Sequence, residues 1–338
     1  MSENSSVLRG AIVGCGFFGE IQMEAWRRME GVEIVASCDM DLERAARFSH
    51  RPYSSLSELL DREQVDFLDI ATQPATHLPL VTEAAARRIP TICQKPLAPS
   101  WDEAVQLVRV VEEAGIPFMV HENWRWQPWY RVVRDSIGRG DIGAPITYLF
   151  RMRKADGYGP APYKQQPYFR QMKRYLIHET LVHAIDVSRF LFGDVDSVVA
   201  EVRRRNPVIA GEDQAMLLLR HADGLPGCID GHRFLDLAPD SPPLGDTVIE
   251  GESGLLQVTP AGDVLLGGSP IWTNTCTQGY RGDSVRATQD HFLHGLRTGE
   301  PFESTGADYL KTFAVVEAAY RSVENGARVR LHDVLSAV

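Results

Sequence analysis

No stretch of this 338-residue chain approaches the roughly 20 consecutive apolar residues of a membrane span, which excludes an integral helical membrane protein. Met1 to Ser6 are small and polar and carry no apolar core, so no secretory signal is expected and disorder is expected only at that tip. Cysteine is scarce. The five residues Cys15, Cys38, Cys93, Cys228 and Cys276 are odd in number and show no C-x-x-C spacing, which argues against a disulfide framework and a zinc knuckle. Three of them fall in apolar, strand-like segments and read as small buried hydrophobes in a reducing, cytoplasmic compartment. Positive charge is also short: the formal net charge is −10 and the basic residues are scattered among acids, which disfavours nucleic acid as a partner. The one basic run, Arg203-Arg204-Arg205, reads as a solvated strand end. Low-complexity segments and internal repeats are lacking too. What remains, 44% hydrophobic and 24% charged, is an ordinary soluble globular composition, and the length favours two domains.

The first third alternates apolar runs with helix-like stretches. Strands are expected at Gly10–Val13, Val32–Cys38, Phe67–Ala71, Thr91–Cys93 and Ile116–Val120. Helices are expected at Phe17–Met29, Leu42–Phe48, Leu78–Arg88 and Trp101–Ala114. Such alternation implies a doubly wound parallel sheet. Ser55 with Glu58 and Ser100 with Glu103 have capping-box spacing. After Trp124 the texture changes. Pro128 and a Gly138–Gly143 turn region precede a strand at Ile146–Met152, a long loop at Ala155–Lys173 and a helix at about Tyr175–Leu191. Short strands then recur at Val198–Val202, Ala215–Leu219, Gly227–Phe234, Thr247–Glu250 and Leu255–Val258, with turn signals between them. They imply a largely antiparallel sheet, closed by helices at Asp290–Leu296 and Ala307–Asn325. The expected fold is α/β in two parts: residues 7–122 for the doubly wound sheet and 123–338 for a second α/β domain with an open sheet. The closing helices are expected to pack back on the first domain.

Gly14-Cys15-Gly16-Phe17-Phe18-Gly19 follows an expected strand and opens an expected helix. In that setting the first glycine permits a tight turn, the second lets a pyrophosphate approach the backbone, and the third lets helix and strand pack closely. The helix start adds N–H donors and partial positive charge. Asp39 ends the next strand about 20 residues after Gly19, where an acid accepts from an adenosine ribose 2′-hydroxyl and opposes a 2′-phosphate. NAD is therefore expected in preference to NADP.

Glu179, His183 and Asp186 are spaced to share one face of the Tyr175–Leu191 helix, with Ile177, Leu181 and Ile185 marking the packed face. His178 and His183 are five apart, and a zinc-protease helix needs them four apart, so no metal is expected. The loop before the helix carries Tyr158, Tyr163, Tyr168, Arg170 and Lys173. These residue types either bond sugar hydroxyls or make subunit contacts. Trp124, Trp126 and Trp129 read as core, as does His121, while Arg125 is the pocket candidate.

The glycine fingerprint, Gln94-Lys95-Pro96 after an apolar strand, and Glu179-x-x-x-His183-x-x-Asp186 together resemble the glucose-fructose oxidoreductase / inositol dehydrogenase / rhizopine-catabolism (Gfo/Idh/MocA) family. Thr72, Pro74 and His77, Asn123-x-Arg125 and the closing Glu317-Ala318-Ala319-Tyr320 extend the resemblance over nearly the whole chain. It implies a Rossmann domain followed by an α/β domain whose open sheet forms an oligomer interface, here a homodimer or homotetramer. The implied cofactor residues are Gly14, Gly16, Phe17, Phe18, Gly19, Asp39, Thr72, Gln73, Pro74, His77, Gln94, Lys95 and Asn123. Catalysis is implied for Lys95, His183 and Glu179, and substrate contact for those three with Asn123, Arg125 and Tyr163. Two positions depart from the family pattern: Gln94 stands where Glu is usual, and Glu179 where Asp is usual. Ile92–Pro96 and His121–Trp126 are similar to the D-apiose type of sugar dehydrogenase within the family. The implied reaction is NAD-dependent oxidation of a sugar or polyol hydroxyl, an aldose going to its lactone. His183 would serve as base, and Lys95 would stabilise the developing alkoxide. A non-catalytic NAD-dependent sensor and an NAD-dependent glycosidase are the alternatives on this fold.

Overall fold

The computed structural model describes residues 7–238 and 240–336. Residues 1–6, the expected disordered tip, lie outside the described residues, as do 239, 337 and 338. The chain divides into two compact units. One takes in residues up to Asn123 together with Asp283–Leu310, and the other holds Trp124–Gly282 and the chain from Lys311 onward.

In the first unit the strands are β1 (Leu8–Val13), β2 (Val32–Cys38), β3 (Pro52–Tyr53), β4 (Phe67–Ile70), β5 (Thr91–Gln94) and β6 (Phe118–His121). They form a parallel sheet in the order β3-β2-β1-β4-β5-β6. The order reverses direction at β1, so the carboxyl ends of β1 and β4 flank the crevice where ligands bind in open α/β sheets. Trp26, Phe67, Ile92, Met119, Phe292 and Leu293 form one core cluster of this unit. Phe292 belongs to the helix Ser284–Thr298, so part of the chain's closing region completes the first sheet. Asp69 of β4 is buried in the same region and accepts from Gln22 Nε2 at 2.8 Å and Trp26 Nε1 at 2.7 Å. These bonds tether the helix Phe17–Arg27 to the sheet, and burial lifts the Asp69 pKa to about 7.

Ser100 Oγ accepts from Glu103 N as a capping box requires. Ser55 holds the equivalent position before the helix Leu56–Arg62, but its side chain makes no cap hydrogen bond. The expected helix at Leu42–Phe48 is a short one, Leu42–Ala46, capped by Asp41. Cys15 and Cys38 are buried free thiols whose pKa is pushed up to about 12, chiefly by burial. Cys93 is buried as well, whereas Cys228 is half-buried and Cys276 exposed.

The second unit adds β7 (Pro145–Arg153), β8 (Val195–Arg203), β9 (Gln214–His221), β10 (Pro226–His232), β11 (Gly245–Gly251), β12 (Leu255–Val258), β13 (Val264–Leu266), β14 (Ser269–Trp272) and β15 (Val329–Arg330). Their order is β14-β13-β12-β11-β7-β10-β9-β8-β15. Every pair is antiparallel except β7 with β10, which makes the sheet mixed but mostly antiparallel. Strand β9 shows the period-2 pattern of a sheet covered on one face. Leu217 and Leu219 are buried, while Met216 and Leu218 are about half exposed. On the covered face Tyr148 stacks on Phe192 with ring centroids 4.5 Å apart, which seats the helix Val182–Phe192 against β7.

Two expectations fail here. The turn region expected at Gly138–Gly143 starts only at Gly140, because Pro128–Arg139 is a helix. Proline is accommodated at its first position, and the chain stops at Gly140, a left-handed C-cap with φ of 78°. The segment from Leu176 to Leu181 is a π-helix, and only Val182–Phe192 is α-helical. Val182 N–H reaches back to Ile177 O, five residues away, so spacing based on 3.6 residues per turn does not carry from Glu179 to His183. Nor has this segment a polar outer face, since every residue from Leu176 to Phe190 is buried.

Candidate active site

In the glycine turn of the first unit, two of the three glycines are required by close packing. Gly14 adopts φ of 99°, and a Cβ there would stand 2.7 Å from Ala71 O and 2.8 Å from Thr72 Cγ2. At Gly19 a Cβ would stand 2.1 Å from Gly14 O, so only glycine lets the helix pack this close to the strand. Gly16 differs, because a Cβ there meets nothing within 4 Å. It is the N-cap of the helix Phe17–Arg27 and supplies no side-chain acceptor to the first turn. That leaves an open approach to N–H donors, the requirement for a pyrophosphate. Phe17 is exposed beside it, and Phe18 meets His121 edge to face at 6.2 Å.

Asp39 is half-buried at the end of β2. Its Oδ2 accepts from Cys15 N at 2.8 Å and its Oδ1 from Asp41 N at 2.9 Å. The carboxylate is thereby fixed beside the glycine turn, and it retains acceptor capacity for a ribose hydroxyl. Asp39→Ala is expected to weaken NAD binding about tenfold and to narrow its preference over NADP. Parallel fluorescence titrations with the two nucleotides measure this, and an unchanged affinity ratio would remove Asp39 from cofactor selection.

Thr72 is half-buried and joined to Thr76 by a 2.8 Å hydroxyl pair, Gln73 is exposed, and Pro74 opens a 3-10 turn. His77, expected at the cofactor, is instead fully buried. Its Nδ1 faces Leu97 O and its Nε2 faces Thr72 O, both at 3.1 Å, and burial lowers its pKa. The ring is packed between the loop after β4 and the loop after β5, and in its neutral form it donates to one of these two carbonyls. It does not present a group to a nucleotide. Gln94 and Lys95 are both buried. Gln94 Oε1 folds back to accept from Lys95 N at 2.7 Å, while Gln94 Nε2 is buried without a partner among the described residues. Asn123 donates from Nδ2 to Ser284 Oγ at 2.8 Å, and its Oδ1 is likewise buried and unmatched among the described residues. An uncapped helix start, a fixed carboxylate and two orphaned amide atoms fit a dinucleotide with an amide of its own.

In the second unit the His183 imidazole stacks on the Trp124 indole, with centroids 4.7 Å apart and planes 2° from parallel. Trp124 is buried, as expected of a core residue, and its indole face fixes the plane of the His183 ring. Glu179 lies in the π turn immediately before the α-helix that bears His183, and both side chains are buried. A π turn inside a helix is often found at functional positions. Arg125, expected to contact substrate, is turned onto Asp186. Its Nε donates to Oδ2 at 2.8 Å and Nη2 to Oδ1 at 2.6 Å, and Thr312 Oγ1 adds a 3.1 Å bond to the same carboxylate. Sequence spacing grouped Asp186 with Glu179 and His183, but this ion pair accounts for its acid.

Tyr163 is also buried rather than presented. Its backbone has φ of 58°, and burial pushes its phenol up to about 12. It sits with Phe169 and Tyr175 around the Arg233 guanidinium, which lies 5.1 to 5.8 Å from the three ring centroids. Arg233 also binds Asp156 through two nitrogens and Thr180 Oγ1 at 3.3 Å. The long loop is thereby fastened to β10 and to the π turn. Tyr158 and Lys173 are exposed, and Tyr168 and Arg170 half-buried. Burial and the nearby Glu179 charge raise the Tyr168 pKa. Arg233 carried no signal in the sequence, because its partners, in the long loop and at the π turn, lie more than 50 residues before it.

Residues 8–122 match the model of the oxidoreductase family with an NAD-binding Rossmann fold, and residues 130–255 match the Gfo/Idh/MocA C-terminal domain. A D-apiose dehydrogenase from Rhizobium rhizogenes is 36% identical, the alignment covering 98% of this chain and 100% of that one. A second, from Paraburkholderia graminis, is 35% identical over 96% of this chain and 90% of its own length. Among solved structures, an oxidoreductase from Agrobacterium radiobacter in complex with NAD+, L-tartaric acid and magnesium superposes with a TM-score of 0.88. It is 36% identical, with 97% of this chain and 99% of that chain covered. With the glycine turn, Asp39 and the two sheets already in place, these matches make the chain a member of the Gfo/Idh/MocA oxidoreductase family, with an NAD-binding Rossmann domain.

Proposed function

We propose that this dehydrogenase oxidises a hydroxyl of a small sugar, an aldose such as D-apiose going to its lactone, with Lys95, His183 and Glu179 as its reactive side chains. The first unit, residues up to Asn123 with Asp283–Leu310 rather than 7–122 alone, would serve the cofactor, and the rest of 123–338 the substrate. The observation that carries the reading is the face-to-face stack of His183 on Trp124, next to the π turn bearing Glu179. A stacked, buried imidazole keeps one orientation, as a base must if it is to meet a particular hydroxyl. The two relatives named D-apiose dehydrogenase support the choice of sugar.

Gly14, Gly16, Gly19 and Asp39 would hold the phosphates and adenosine ribose, and Gln94 and Asn123 offer their unmatched amide atoms. NAD, when bound, supplies the hydride acceptor. His183 takes the hydroxyl proton, and the Lys95 ammonium donates to the same oxygen as charge develops on it. Glu179 either holds the imidazole in its working tautomer or binds a neighbouring sugar hydroxyl. The exposed face of the nine-stranded sheet, with Met216 and Leu218 turned outward, supports assembly as a homodimer or homotetramer. The buried free thiols support a cytoplasmic setting.

The test is NADH formation and sugar release by the purified protein across a panel of aldoses, polyols, sugar acids and glycosides that includes D-apiose, repeated with NADP. Turnover is expected with NAD and greatest with D-apiose. NAD binding with no turnover on any member would mean a sensor. Release of free sugar from a glycoside without accumulating NADH would mean a glycosidase.

A further inference from the structure

The π turn that carries Glu179 has an anchor outside its own helix. Glu212 lies in the loop between β8 and β9, is 6% exposed, and directs its carboxylate at the start of this turn. It accepts from Tyr175 N at 3.2 Å and Ile177 N at 3.0 Å, and its own carbonyl accepts from Leu176 N at 3.3 Å. Those are N–H groups a helix start leaves without intrahelical partners. The carboxylate is itself held by Tyr320, whose hydroxyl donates to Oε1 at 2.6 Å. Burial raises the Glu212 pKa against the pull of these donors.

A second feature brings the loop this close. A Cβ on Gly211 would stand 2.5 Å from Met172 O, 2.9 Å from Lys173 O and 3.0 Å from Tyr175 Cβ, so only glycine admits the approach. The same loop is bonded to the long loop ahead of the π turn. Ala210 N donates to Arg170 O at 2.8 Å, and Asn206 Nδ2 donates to Gly157 O and Gly159 O.

We infer that Glu212 is a positioning residue: its carboxylate, held by Tyr320, caps the segment Tyr175–Leu181 and fixes where Glu179 and His183 stand. Glu212 touches neither substrate nor cofactor in this role and acts through the backbone of the turn. Tyr320 acquires a task too, as the clamp on Glu212. The inference rests on the proposal that Glu179 and His183 act in turnover.

Three full-length variants test it by hydrogen exchange and by kinetics. Glu212→Ala is expected to speed amide exchange in the peptide spanning Tyr175–Glu179 and to lower kcat about tenfold to a hundredfold, with NAD affinity unchanged. Glu212→Gln keeps the length and one acceptor oxygen, which in the Oε1 position still accepts from Ile177 N and the Tyr320 hydroxyl. It is expected to restore most of both losses. Tyr320→Phe should give a smaller loss of the same kind and, with the Gln variant, decides the matter should the Ala variant not fold. Native exchange and kcat in Glu212→Ala would overturn the inference, as would exchange raised evenly over the chain with kcat falling only as the folded fraction does. If the protein turns over no sugar at all, the proposed function falls, and the local exchange result still decides whether Glu212 sets the turn.

Discussion

Replacing His183 with Ala is expected to lower kcat by about 10²- to 10⁴-fold while NAD affinity stays near that of the parent protein. Lys95→Met should do the same. The two losses have different origins. His183 removes a proton, so an exogenous base such as imidazole is expected to restore part of the Ala variant's activity. Lys95 stabilises charge that develops on the substrate oxygen, and a small base cannot replace it. His183 is stacked on Trp124 and 6% exposed, so its removal bares one indole face and gives up an aromatic contact worth about 1 kcal/mol. That is a modest share of the stability of a domain this size, and the variant should remain folded. Lys95 is 9% exposed, and the bond from its backbone N–H to Gln94 does not depend on its side chain, so Met, an unbranched chain of similar length, keeps that bond. The measurements are kcat and KM for the sugar, together with an NAD titration of each variant. Parental turnover in either would take that residue out of the mechanism. Loss of NAD binding by Lys95→Met would turn its role from chemistry to cofactor attachment.

The first unit was the more legible in the sequence because its signals are local. Parallel strands buried on both faces read as apolar runs, and strand-helix alternation fixes the topology within narrow limits. Gly14 and Gly19 each answer to a steric demand their spacing already stated. The second unit was legible in its strands but less so in its helices. Pro128 and Gly138 resemble turn signals on their own, and only the first-turn position of Pro128 makes a helix compatible with it. In the segment proposed for the site, the expected polar and packed faces do not exist. A buried π turn has no polar side for periodicity to detect. The stack of Trp124 on His183, the pair of Arg125 with Asp186 and the cap by Glu212 each join residues far apart in the chain. No spacing rule reaches them, and they came into view only with the tertiary packing.

The pair of Arg125 with Asp186 carries the largest stability effect expected of any single substitution here. Arg125 is 4% exposed and Asp186 fully buried, and the two oxygens of Asp186 meet two nitrogens of the guanidinium at 2.8 and 2.6 Å. Removing one partner strands the other charge in a low-dielectric interior. Asp186→Ala or Arg125→Ala is therefore expected to cost about 3–5 kcal/mol. Taking both away together relieves that penalty, since neither charge is then left alone. Arg125→Met with Asp186→Leu, close in volume and apolar, should lose much less than the two single variants summed. The coupling is expected at about 2 kcal/mol or more by chemical denaturation. The same double variant also separates structure from substrate recognition. If Arg125 serves the fold through Asp186, the double variant keeps a near-parental KM for the sugar once its stability is recovered. If Arg125 also grips the substrate, KM rises in the double variant as much as in Arg125→Ala, and the residue regains the binding role its place in the sequence first suggested. The first outcome is the expected one, because a guanidinium held by two oxygens of one carboxylate has already committed the planar fork that would recognise a second ligand.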